Sequence, residues 1–143
     1  MLVSLLALAL FACINPERDS EGKMTLVVLD GENTKVYTVD LAKIPSGNNK
    51  STGLMAILDY LQDKGELTYS SQDSSYGAYL TKVNSIVPQG NEFVAIYTSV
   101  TKDSYEGAPT VTYDGKEYAS SGLGASSMSI LADCVIILTK GTY

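Results

Sequence analysis

Ten tyrosines and two phenylalanines, with no tryptophan and no histidine, set the chemistry open to this 143-residue chain. Without histidine, Ser-His-Asp and Cys-His nucleophiles, a histidine general base and a histidine-ligated zinc are all outside its repertoire. Tyrosine offers a flat apolar face and one hydrogen-bonding tip at low entropic cost. It therefore serves a planar ligand, a protein interface or an ordinary sheet core. Tyr76, Tyr79, Phe93, Tyr97 and Tyr118 are the aromatic candidates. Gly77 follows Tyr76, and Ser121-Gly-Leu-Gly-Ala-Ser-Ser127 supplies Gly122 and Ser126, whose backbone and hydroxyl groups could approach a ligand. The same composition also suits a flexible connection.

No catalytic residue emerges. Cys134 sits in the apolar run Asp-Cys-Val-Ile-Ile-Leu, with no histidine or nearby cation to activate a thiolate, and reads as a small hydrophobe. Asp73, Asp103, Glu106 and Asp114 are scattered and read as solvated loop charges. Asp30-Gly-Glu-Asn33 lacks the alternating oxygens and the distal glutamate of a calcium loop and reads as a turn, so no metal site is assigned. Lys plus Arg number 10 against 16 acids, a net charge of −6. With no basic run, neutralisation of phosphates cannot drive binding, and nucleic acid is not an expected partner.

The first twelve residues, MLVSLLALALFA, are almost wholly apolar. As helix they would reach about 18 Å, short of the roughly 20 residues that span a bilayer, and match the apolar region of a signal peptide. Leu10-Phe-Ala-Cys13 resembles a bacterial lipobox, with Cys13 as the lipidation site. The alternative is a buried apolar strand with an ordinary free cysteine. Residues 13–23 are polar and without period, and as a tether of about ten residues would span roughly 17 Å. The expected location is extracytoplasmic, anchored to the cell membrane by lipid alone.

One segment has helical period. Leu54, Leu58 and Leu61 recur at i, i+4 and i+7 with Met55 and Ile57 beside them, Ser51 or Thr52 as cap and Gly65 at the end. Asn49-Lys-Ser51 fits the glycosylation triplet, but Ser51 reads as the helix cap. The remaining segments read as short strands. Met24–Asp30 and Thr34–Asp40 form a hairpin about Gly31-Glu-Asn33. In the segment from Tyr76 to Val87, Tyr79, Thr81 and Val83 alternate with Leu80 and Lys82. Phe93–Val100 reads as a central strand, Asp114-Gly115 is a strong hairpin signal, and Met128–Ile130 with Asp133–Thr139 reads as a closing strand pair. The fold class is α+β: a small antiparallel β-sheet assembly with a single helix packed on one face.

This order of elements resembles the transcobalamin C-terminal-like domain over residues 24–139, within a domain of residues 24–143. The likeness rests on Leu54–Leu61, Tyr76-Gly77 with Tyr79, Phe93–Tyr97, and Gly122–Leu138. Val94 stands near the family's tryptophan, Ala132-Asp133 replaces its Asp-Gly turn, and Thr101–Tyr118 is an inserted hairpin. The resemblance implies a non-enzymatic surface module that covers one face of cobalamin or another corrinoid. Tyr76, Gly77, Tyr79, Phe93, Tyr97, Gly122 and Ser126 would then be the ligand contacts. The alternative is a structural or adhesive surface module that binds protein or glycan without a small-molecule pocket.

Overall fold

The computed structural model describes residues 16–47 and 51–143. The apolar leader, Cys13 and Asn49 lie outside the described residues. Strands β1 (Lys23–Leu29) and β2 (Lys35–Asp40) form the expected hairpin, joined by one 3-10 turn at Gly31–Asn33. Helix α1 (Leu54–Asp63) follows. Then come β3 (Tyr69–Gln72), β4 (Tyr79–Val83), β5 (Glu92–Thr98), β6 (Thr110–Tyr113), β7 (Lys116–Ser120) and β8 (Val135–Thr142). The class is α+β, with α1 the one α-helix among the described residues.

Six strands make one sheet in the order β2-β1-β8-β5-β7-β6, and β3-β4 form a second sheet. The larger sheet is mixed, because β8 inserts between β5, to which it is antiparallel, and β1, to which it is parallel. A central strand is covered on both faces. Ile136, Ile137 and Leu138 are all fully buried, and this is why β8 reads as one continuous apolar run.

On one face, Met24, Leu26, Val28, Ile136 and Leu138 meet Leu54, Ile57, Leu58 and Leu61 of α1 and Leu80 and Val83 of β4. Burial of the four large helix side chains stabilises by roughly 6–12 kcal/mol as an upper bound. The opposite face carries Val27, Ile137 and Tyr118, flanked by half-buried Leu29, Tyr97, Val111, Tyr113 and Val135.

Three local expectations are corrected. Neither Ser51 nor Thr52 caps α1, whose N-cap is Gly53. The Ser51 hydroxyl donates instead to Asp59, and that of Thr52 to the Ser126 carbonyl at 2.8 Å. Simple alternation also fails in β4. Ser70 faces Lys82 while Ser71 faces Leu80, so Thr81 is the extra residue of a bulge, and Leu80 and Val83 both reach the core despite their opposite parity. Met128–Ile130 does not pair with β8. Ile130 bridges in parallel to Arg18 and draws the N-terminal strap onto the domain.

Candidate ligand-binding surface

Four residues singled out in the sequence meet at one place. Tyr76 stands on a tight turn in which the N–H groups of Ser74 and Gly77 donate to each other's carbonyls at 3.0 and 3.1 Å. The Gly124 N–H donates to the Tyr76 carbonyl at 2.9 Å and the Ala125 N–H to that of Ala78 at 2.7 Å. The Ser126 Oγ accepts from the Ala78 N–H at 2.9 Å. Tyr76, Gly77 and Ser126 are thus joined by a latch between two loops, with Gly122 just before it.

The glycines of this latch serve close packing. A Cβ on Gly124 would lie 2.6 Å from the Tyr76 carbonyl oxygen and 2.8 Å from the Gly77 carbonyl carbon. One on Gly53 would lie 2.6 Å from the Ala125 carbonyl oxygen. Three backbone segments approach closer here than any side chain permits. The segment is therefore a clasp, rather than a flexible connection.

Gly122 has a different neighbour. Its missing Cβ would lie 3.1 Å from the Tyr105 ring, so the ring rests against bare backbone. Tyr76 is 79% exposed, Leu123 40% and Tyr105 53%. Three large, exposed side chains therefore flank or ride on one pinned loop. Tyr79 is exposed on β4 close by, and its hydroxyl donates to Gln72 across the β3–β4 hairpin.

Phe93 and Tyr97 stand elsewhere. Phe93 lies near the chain terminus, its ring 4.8 Å from that of Tyr143 and against Gly141. Tyr97 lies on the sheet face with Val27, Ile137 and Tyr118. The seven residues thus form no single pocket.

A cleft of about 540 Å³ opens beside Tyr105. Its origin is a short ladder: β5 and β7 pair only at Tyr97↔Ser120 and Thr98↔Ala119, and beyond these the strands part. The opening is lined by Ser99, Thr101, Ser104, Tyr105, Glu117 and Tyr118, among others. Two of its lining serines are tied to neighbouring backbone. The Ser99 Oγ accepts from the Val135 N–H at 2.9 Å, and the Ser104 Oγ donates to the Ser120 carbonyl at 2.8 Å. A smaller cavity of about 410 Å³ shares Ser99 and Thr101 and reaches Lys102, Asp133 and Cys134. Sequence reasoning missed Tyr105, whose one signal was an aromatic in an otherwise polar loop.

Asp103 lies beneath this region and is buried, contrary to its reading as a solvated charge. Its carboxylate accepts from the Ser129 N–H at 2.6 Å and from the Ser129 hydroxyl at 3.2 Å, which fixes the turn that carries Tyr105. Asp73, Glu106 and Asp114 are exposed. Cys134 is buried, and burial pushes its thiol above the ordinary range, against the lowering effect of its Leu131 contact. Tyr69 holds its proton well above the usual range, chiefly through burial and then through its hydrogen bond to Asp59.

No protein-family model matches the chain. No curated protein matches it either. Among solved structures, the fold is similar to a protein of Ruminococcus gnavus ATCC 29149 described as "a putative metal binding protein". The TM-score is 0.54 and the identity 14%, over 86% of this chain and 99% of that one. At that identity the likeness is one of fold.

Proposed function

We propose that this protein is a non-enzymatic binding module, held at the cell surface through lipid on Cys13, whose ligand lies in the Tyr105 cleft and extends past Gly122 toward Leu123 and Tyr76 on the clasp. The observation that carries the proposal is the pairing of exposed rings with a clasped loop. Tyr76 and Tyr105 offer apolar faces on backbone pinned by hydrogen bonds and by the fit at Gly124. Such pre-ordering lowers the entropic cost of binding. A cleft of about 540 Å³ falls in the range typical of small-molecule sites, and its hydroxyls suit a ligand with a polar edge. The transcobalamin-like resemblance makes a corrinoid the ligand class to test first. Metal binding is not carried over from the R. gnavus protein. Among the described residues, no three His, Cys, Asp or Glu side chains are grouped to hold an ion.

Titration of cyanocobalamin and dicyanocobinamide into the full chain in detergent, followed by corrin absorbance and heat, tests the proposal. Saturable binding at micromolar ligand is expected. No response up to millimolar ligand would remove the corrinoid and leave a contact surface for protein or glycan. Among the described residues no helix is long and apolar enough to cross a membrane.

A further inference from the structure

The first described residues are fastened to the domain. The Ile130 N–H donates to the Glu17 carbonyl and the Asp19 N–H to the Ile130 carbonyl, both at 2.9 Å. The Asp19 carboxylate accepts from the Ala132 N–H at 2.7 Å, and Arg18 donates to the Pro45 carbonyl at 3.2 Å. Glu17 pairs with Lys102. Residues 17–23, held also by the Leu41 N–H on the Gly22 carbonyl at 2.8 Å, are therefore a docked strap and not part of a free ten-residue tether.

We propose that this strap sets how the domain stands on its membrane: the edge formed by Glu17–Asp19, Lys102 and Ile130–Ala132 faces the bilayer headgroups, and the Gly31–Asn33 turn points away. The proposal rests on the reading of Cys13 as the lipid anchor. Four residue steps separate Cys13 from Glu17, a reach of at most roughly 14 Å. Ten free residues would reach roughly 33 Å and allow any face to turn downward. β1 starts beside this edge, where the Asp133 N–H donates to the Lys23 carbonyl at 2.6 Å, and ends at Leu29 before the Gly31 turn. Its rise places that turn about 20 Å further off, beyond what the short link can fold back. The smaller cavity, with Lys102, Ala132 and Asp133, opens on the same edge and shares Ser99 and Thr101 with the Tyr105 cleft. The ligand site is thereby held toward the membrane end of the domain.

The test places a fluorophore on Thr101→Cys, on the domain at the strap edge, or on Glu32→Cys, both exposed positions, in the full chain carried by vesicles of phosphatidylethanolamine and phosphatidylglycerol that contain headgroup spin-labelled lipid. Quenching at position 101 is expected to exceed that at position 32 severalfold. In the double variant Glu17→Ala, Asp19→Pro, which removes the Asp19 N–H bond to Ile130, the carboxylate bond to Ala132 and the Lys102 pair, the strap is loosened and the ratio falls toward one. Equal quenching at the two sites in chain whose mass shows lipid on Cys13 would overturn the orientation and leave the anchor standing. A ratio unchanged in the double variant would overturn the strap as its cause. Cys13 without a diacylglyceryl mass would overturn the anchor, and the orientation with it.

Discussion

Gly124→Ala isolates the clasp under the candidate site. Gly124 has φ −67 and ψ 162, a conformation open to any residue, so alanine adds no backbone strain there. The cost is contact alone. The new methyl would stand 2.6 Å from the Tyr76 carbonyl oxygen and 2.9 Å from the Gly77 Cα, both backbone atoms without a rotamer to escape into. The loops must part, which breaks the bonds Gly124 N–H to Tyr76, Ala125 N–H to Ala78 and Ala78 N–H to Ser126. At about 1 kcal/mol each, the loss is about 3 kcal/mol. Gly115→Ala is the control. Gly115 has φ 78 with nothing within 4 Å of its missing Cβ, so it carries only a left-handed penalty of about 1 kcal/mol. Urea unfolding should give a lower midpoint at unchanged slope for both, with Gly124→Ala the more damaged. Amide exchange at Ala78 and Ala125 should quicken only in Gly124→Ala. Stability of Gly124→Ala within about 0.5 kcal/mol of the parent, or a larger loss in Gly115→Ala, would refute the clasp.

Three further outcomes follow from single side chains. Asp103→Ala leaves the buried Ser129 N–H unpaired and should cost about 2–3 kcal/mol in urea unfolding; a neutral result would mean that water replaces the carboxylate. The folded state raises the Tyr69 pKa above its ordinary value of 10, so the phenol contributes stability fully below that pH and loses it as pH rises further. Tyr69→Phe should flatten this alkaline fall, and identical alkaline slopes for parent and variant would contradict the assignment. Cys134 should resist alkylation at neutral pH until denaturant exposes it; rapid labelling of the folded chain would contradict its burial.

Much of the fold was legible in the sequence where a pattern is local. The stripe of Leu54, Leu58 and Leu61 gave α1, and Asp114-Gly115, with φ 51 and 78, forms the expected tight turn between β6 and β7. The apolar run that ends the chain is a strand buried on both faces. What was not legible depends on partners distant in sequence. The Thr81 bulge exists only against β3, and Asp103 is buried only because Ser129, 26 positions on, closes over it. The polar segment from Glu17 to Lys23 has no period to announce that Ile130 will hold it. The candidate site divides in the same way. Tyr76, Gly77, Gly122 and Ser126 converge because two loops need glycines to touch, whereas Phe93 and Tyr97 follow sheet register to other places. Tyr105 sits in an irregular loop, and the cleft beside it exists because β5 and β7 stop pairing after two residues.

The central claim is that ligand rests on the Tyr105 side of the clasp. The dissociation constant of dicyanocobinamide for Tyr105→Ala, set beside that for Tyr97→Leu, tests it directly. Loss of a stacked ring worth about 1.4 kcal/mol weakens binding about tenfold, so Tyr105→Ala should bind at least that much more weakly, while Tyr97→Leu binds like the parent. Unchanged binding by Tyr105→Ala together with a tenfold loss in Tyr97→Leu would contradict it and place the ligand beside Tyr97 on the sheet face opposite α1.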